Sequence, residues 1–496
     1  MKAVRAFLVA LLAVVSTTPS ATGASADVHS PNMSLVANFN DKGAYASGSD
    51  IAFWGNLAAF GNENPGGFRL LDISKPAAPK QLSQFACSGA QSDVSMWGDL
   101  VFVSVDTAMA SPACDSNGAS DLDFTLGRAW EGVRIVSIAD RAKPVQIAAV
   151  DTDCGSHTHT LVPDLEHNRL LIYVLSYPLT AYSVDCNPAS HHKISVISVP
   201  LDVPAKAAVV STPDVGLVLG CHDVTVFPQR KLAAAACLSE SQIWDISDPV
   251  NPRVVAEIVN PLINIHHSTA WSWDGNTIVI GDELGGASVA AGCLTHGKAP
   301  FGGLWFYDVT DAANPVLQGS YVIPRNYPWI TCTAHNFDVI PLTSGRDVLV
   351  TAWYSGGTAV IDFTDPANPT EIGYDQPLDG QPADAWSSYF YNGYIYVNNL
   401  GTRGVDVLRL SESFLSAAVP LAHLNAQSQE RLPLAGPSVE AGGAPPPGAP
   451  KQSTHPPAAG QTRPRSLPGT GVGAPFGAAA ALIGASALVR RRLRRV

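Results

Sequence analysis

Apolar and polar residues alternate along this 496-residue chain in short runs set apart by Pro, Gly, Asn and Asp. STAWSW (Ser268 to Trp273), TIVIGD (Thr277 to Asp282), AWSSYFY (Ala385 to Tyr391) and YIYVNN (Tyr394 to Asn399) are rich in β-branched and aromatic residues, which predicts strands. Asp274-Gly275-Asn276 joins the first two and Asn392-Gly393 the last two, the composition of tight hairpin turns.

A longer unit recurs: an apolar strand, a Pro-rich turn and a second strand. Its clearest copies are QIWDISDPVNPRVVAEI (Gln242 to Ile258), LWFYDVTDAANPVLQGSYV (Leu304 to Val322) and AVIDFTDPANPTEIGY (Ala359 to Tyr374). Earlier ones are FRLLDISKPAAPKQLSQF (Phe68 to Phe85), VRIVSIADRAKPVQIAAV (Val133 to Val150) and the looser ISVISVPLDVPAKAAVV (Ile194 to Val210). Two further short strands follow each turn, so each unit supplies four antiparallel strands, a propeller blade. A seventh copy, DVLRLSES (Asp406 to Ser413), lacks an outer partner, and SLVANFN (Ser34 to Asn40) lacks a preceding strand. Pairing the two removes a raw edge. The predicted fold is all-β, a seven-bladed β-propeller whose N-terminal strand closes the last blade. The strand-turn signature, best in VRIVSIADRAKP and AVIDFTDPANP, resembles the LVIVD-repeat family of β-propellers over nearly all of Ser34 to Ser411. That resemblance implies a fold and no particular reaction.

The two ends differ from this body. MKAVR, the apolar run Ala6 to Val15 and Ala24-Ser25-Ala26 form the pattern of a secretory signal peptide, with cleavage expected after Ala26 (1–26). The propeller is expected over 27–425, followed by a Pro/Gly-rich linker over 426–466 that cannot bury enough surface to fold. Residues 467–496 hold Leu467-Pro468-Gly469-Thr470-Gly471, an apolar run from Val472 to Val489, and an Arg-rich tail. This order resembles the LPxTG cell-wall sorting signal of Gram-positive surface proteins. The resemblance implies that sortase cuts between Thr470 and Gly471 and joins Thr470 to peptidoglycan. Membrane contact is then expected only through the apolar segment before processing.

The formal charge of −12 arises from 30 basic and 42 acidic residues, and the two removable ends hold seven basic and no acidic ones. Such a surface repels a phosphate backbone, which argues against nucleic acid as a partner. Eight cysteines in an exported chain predict disulfides. Cys87, Cys154, Cys221 and Cys332 precede innermost strands, whereas Cys114, Cys186, Cys237 and Cys293 stand at or after second strands. Both positions open on one face, which predicts the pairs 87–114, 154–186, 221–237 and 293–332.

That face carries the candidate chemistry. The innermost strands begin with Ser49-Asp50, Ser92-Asp93, Ser156-His157-Thr158-His159, Cys221-His222-Asp223, Ile265-His266-His267, Ala334-His335-Asn336 and Ala383-Asp384. Inner strands line a propeller's channel, so these residues form rings near its mouth. In one reading His157, His159, His222, His266, His267, His335, Asp93 and Asp223 converge on copper or zinc. Propeller enzymes of the selenium-binding and methanethiol-oxidase type are similar in gathering histidines from several blades. In the other reading the side chains hydrogen-bond across a polar channel and pin the blades. Asp115, Asn117, Asp121 and Asp123, in the loop 115–127, offer calcium oxygen ligands without the EF-hand glutamate. Trp130 and Trp329 are candidate sugar platforms. Hydrolase-elbow and nucleotide-loop motifs are absent from the sequence. The leading expectation is therefore a secreted, wall-anchored, monomeric propeller that binds or displays a protein, glycan or small ligand on its loop face. The alternative is an extracellular metal-dependent oxidoreductase or hydrolase.

Overall fold

The structure, a computed structural model, describes residues 28–40, 47–63, 66–120, 122–123, 126–176, 191–216, 218–284, 295–296, 299–300, 302–325, 332–378 and 382–430. The signal-peptide, linker and sorting-signal expectations fall outside these residues, apart from the first few positions assigned to the linker. Among the described residues no helix is long and apolar enough to cross a membrane.

Seven antiparallel sheets form the ring, all-β as expected. Their innermost strands are Gly48–Trp54, Val94–Trp97, Thr158–Asp164, Asp223–Phe227, His266–Trp271, Phe337–Val339 and Ala385–Tyr391, which begin blades one to seven in that order. The N-terminal strand Met33–Phe39 pairs with Val405–Leu410 and completes blade seven. Just before it, Val28–His29 adds to the outer strand Thr370–Gln376 of blade six. Trp244, Trp271 and Trp353 are fully buried in the cores between sheets, where flat rings fill the taper.

The repeat's polar residues explain its turn. In blade four Asp245 Oδ1 accepts from Ser247 N at 2.8 Å, and Asp248 Oδ1 accepts from Val250 N at 3.1 Å. Asp308 and Asp311 in blade five, and Asp362 and Asp365 in blade six, repeat this double Asx turn. The signature residues are thus consumed by folding. Gly132 and Gly357, at or just before the third strands of their blades, adopt φ 150° and 76°; a Cβ there would meet the outer strand's carbonyl at Val150 or Asp375.

Beyond blade seven the chain returns to the channel instead of leaving as a linker. His423–Asn425 pairs with Ala52 to Trp54 of the first inner strand. The chain turns at Ala426 and Gln427 and runs back to Glu430, forming a hairpin inside the ring. Ala426 to Gln429 are buried, so the fold extends past the expected boundary at 425. Gln429 Oε1 accepts from Trp271 N at 2.6 Å and its Nε2 donates to Trp271 O at 2.8 Å. Asn425 makes the same paired contact with Met96 N and O. These amides satisfy inner-strand groups that have no neighbouring strand on the channel side.

Cys87–Cys114 and Cys221–Cys237 are bonded as expected. Cys154 and Cys332 are also disulfide-bonded, and their expected partners, Cys186 and Cys293, lie outside the described residues.

Candidate functional site

Inner strands of successive blades run side by side around the channel, so their first residues gather at one mouth. Four blades in a row bring His157, His222, His267 and His335 there, each no more than 5% exposed. Neighbouring ring centroids are 4.5, 3.8 and 4.4 Å apart. His157 Nε2 and His222 Nε2 are 2.9 Å apart, one ring donating to the other, while His157 Nδ1 meets Asp106 Oδ2 at 2.8 Å.

Two β-bulges aim side chains here. An extra residue between His266 and Ser268 separates the two consecutive histidines. His266 turns toward blade four, with Nδ1 at 2.8 Å from Ser241 Oγ on that blade's third strand, and His267 joins the channel cluster. A second bulge between Ala385 and Ser387 sends Trp386 against His335, at 4.5 Å.

Glu283 completes the cluster. It follows the strand Thr277–Asp282, and its loop is fixed by Asp282, which accepts from Asn264 N, Ile265 N and Gly302 N at 2.9, 3.0 and 2.9 Å. Glu283 Oε2 is 3.5 Å from His267 Nε2, and Oε1 is 3.8 Å from His335 Nε2. The donor atoms of His267, Glu283 and His335 all lie within 4.8 Å of one another. Tyr354 donates to Glu283 Oε1 at 2.6 Å.

Burial pushes His222 and His267 well below the ordinary imidazole range, and the neighbouring histidines push them further. Burial also takes His335 down to about 3. These rings are therefore neutral near pH 7. His335 Nδ1 lies 2.6 Å from the Trp386 carbonyl, where only an N–H can serve, so Nε2 keeps its lone pair toward Glu283. His267 Nδ1 is buried without a hydrogen-bond partner. Neutral imidazoles and one carboxylate form a donor set for a transition-metal ion.

One residue further along the strands lies a carboxylate layer. Asp50 accepts from Ser387 Oγ, Tyr389 OH and Gln427 Nε2 at 2.8, 2.5 and 3.1 Å. Burial, then the charge of Asp93, raises it well above the carboxylate range. Burial raises Asp223 in the same way. Burial would also raise Asp93, but hydrogen bonds and charge from His159 outweigh it and leave Asp93 lowered. Between the two layers is a cavity of about 20 Å³, lined by His157, His222, His335 and Trp386 and by Ser49, Gln91, Asp93, Thr158 and Asn336.

The expected ring thus divides. His157, His222, His267 and His335 come together, while His159 is taken up by Ser95 Oγ at 2.6 Å, Ser104 Oγ at 2.7 Å and Asp93. His266 ties blade five to Ser241 of blade four, and Asp93 and Asp223 belong to the deeper layer. Asp384 is half-buried at a backbone junction with Asn399 and Leu400. In the proposed calcium loop, Asp123 caps its own turn through Ser120 and pairs with Arg128, Asp115 and Asn117 are exposed, and Asp121 is outside the described residues. Trp130 is buried under Arg134 and offers no sugar platform; Trp329 is outside the described residues. Glu283, Tyr354 and Asp106 went unrecognised in the sequence because they lie late in or after second strands rather than opening inner ones.

No protein-family model matches the chain, and no curated protein matches its sequence. The LVIVD resemblance is therefore one of repeat pattern, and what stands is the seven-bladed propeller. Among solved structures the chain is similar to one described as "Kuenenia stuttgartiensis Hydrazine Synthase", with a TM-score of 0.51, 12% identity, and coverage of 76% of this chain and 98% of that one. A computationally designed protein, Ika8, gives a TM-score of 0.40 at 11% identity over 75% of this chain and 98% of its own. The first likeness shows the fold alone.

Proposed function

We propose that this is an exported binding propeller whose channel mouth holds one transition-metal ion. The observation that carries the reading is the convergence of His267, His335 and Glu283, with His222 and His157 adjoining them. Imidazole and carboxylate donors suit zinc, copper or iron. The propeller is a scaffold for binding in general, and the disulfides fit an oxidising, extracellular setting. Attachment to the wall by sortase through Thr470 rests on the order of pentapeptide, apolar run and arginines. Its test is whether Thr470→Ala releases the protein from the wall fraction.

The metal reading is tested by elemental analysis of residues 27–430, purified without chelator or His tag, beside a His267→Ala, His335→Ala double variant. About one ion per wild-type chain, lost in the variant, supports it. A metal-free wild type that takes up no copper, zinc or iron on incubation overturns it. The competing reading, a polar pin that holds blades together without a metal, is favoured by the His157–His222 and His335–Trp386 hydrogen bonds. It predicts a metal-free domain that the double variant destabilises.

A further inference from the structure

We infer that the ion keeps an open coordination position turned into the channel cavity, and that this position takes a small protic ligand of one or two heavy atoms: water, hydroxide or hydrogen peroxide. The inference rests on the metal-binding reading above and adds what the site receives.

Three observations carry it. First, the compact donor set is two histidines and one carboxylate. Three protein donors leave positions for exogenous ligands, as in catalytic zinc sites and two-His, one-carboxylate iron sites, whereas a closed structural site uses four. His157 and His222 stand beside this set with their Nε2 atoms already engaged with each other. Second, the space that His335 shares with His157 and His222 is about 20 Å³. A cavity admits one water at about 10–15 Å³, so the space suits a guest of one or two heavy atoms and excludes a sugar, an amino acid or a thioether.

Third, the wall facing the histidines is rich in acceptors. Asp93 Oδ2 accepts the His159 N–H at 2.9 Å and lines the cavity. Asn336 lines it too, and its Oδ1 is buried without a hydrogen-bond partner while its Nδ2 is turned to Ser387 Oγ. A buried acceptor without a donor is costly, and a guest bearing O–H groups would satisfy it. An anion without protons would instead face the Asp93 carboxylate.

The test uses residues 27–430 loaded with copper(II), which among divalent first-row ions binds N/O sites most tightly and reports by electron paramagnetic resonance. Failure to bind one copper per chain would sink the metal reading itself. With copper bound, electron–nuclear double resonance in H₂O and D₂O is expected to show strongly coupled exchangeable protons of a bound water. Those couplings should vanish in Asn336→Leu, which fills the cavity, with copper still bound at one per chain. A wild-type centre without such protons is closed, and the inference fails. In a second arm, azide titrated by its charge-transfer absorption is expected to bind Asp93→Asn at least tenfold more tightly than wild type. Equal affinities would remove Asp93 from the wall of the open position and overturn the acceptor argument, independently of whether Asn336→Leu folds.

Discussion

Tyr354 donates its phenol proton to Glu283 from a backbone held at φ 46°. A bulky residue in the left-handed region costs on the order of 1–3 kcal/mol, and such strain gathers at functional sites. Here it is maintained by backbone pairing of Tyr354 with Ala385 in both directions, at 3.0 and 2.9 Å. The geometry makes Tyr354 a positioning residue for Glu283, the carboxylate of the proposed metal site. Tyr354→Phe should fold with unchanged circular dichroism and lower metal affinity roughly 10–100-fold, the usual cost of losing an outer-shell partner. Competition with a chelator of known affinity reads the change. Asp106→Asn, which alters the partner of His157 rather than a member of the compact donor set, should cost less.

The channel hairpin is part of the folded unit. A chain ended at Asn425 loses the Gln427–Asp50 bond and both Gln429–Trp271 bonds. Each buried group left unpaired costs about 1–3 kcal/mol. Ending at Asn425 should therefore lower stability by several kcal/mol relative to a chain ended at Glu430, and Gln429→Ala alone should give part of that loss. Chemical denaturation of the three proteins in parallel checks the order.

Cys221 immediately precedes His222, and its bond to Cys237 closes a loop with a sequence separation of 16. Cross-linking a loop of that size stabilises by about 3 kcal/mol at 25 °C in the chain-entropy picture. Replacing both cysteines by Ala should remove about that much in urea denaturation. A loss near zero would contradict this entropic estimate and point to residual structure that already restricts the loop in the unfolded chain.

His266 supplies a pH dependence with a definite sign. Burial lowers it to about 4 in the fold, against about 6.5 in an unfolded chain. Between these values the unfolded state binds the proton and the folded state does not, so stability falls as pH drops from 6.5 toward 4. Measured on metal-free protein, wild type should lose roughly 3 kcal/mol relative to His266→Gln across that window. Subtracting the variant removes the opposite contribution of Asp50 and Asp223, whose raised values favour the fold at low pH. Parallel pH profiles of the two proteins would contradict the assignment.

The propeller was legible because its information is local. Five of the copies carry an Asp that turns the chain within two residues, and alternation marks the strands on either side. The closing strand followed from matching an orphan at each end. The hairpin His423 to Glu430 was not legible: AHLNAQSQE is polar and resembles the linker that follows it. Its burial is bought by amide hydrogen bonds to a polar channel, which leave no hydrophobic pattern. At the mouth, sequence brought the histidines of four successive blades together but did not separate the clustered rings from their neighbours. His157 precedes the strand Thr158–Asp164 while His159, two residues deeper, is held by Ser95, Ser104 and Asp93, and a bulge parts His266 from His267, neither visible in HTH or HH.

Both ends of the described chain act on the ring as fasteners. The N-terminal segment holds blades six and seven through Val28–His29 and Met33–Phe39. At the axis the hairpin reaches the other five, through Ala52, Met96, Leu161, Val226 and Trp271. A pull on the chain beyond Glu430 therefore loads a central rivet rather than peeling an outer strand. Because Glu430 lies beside His423 and the Trp54 and Trp97 rings, at the ends of the inner strands, that load enters on the face away from the histidines.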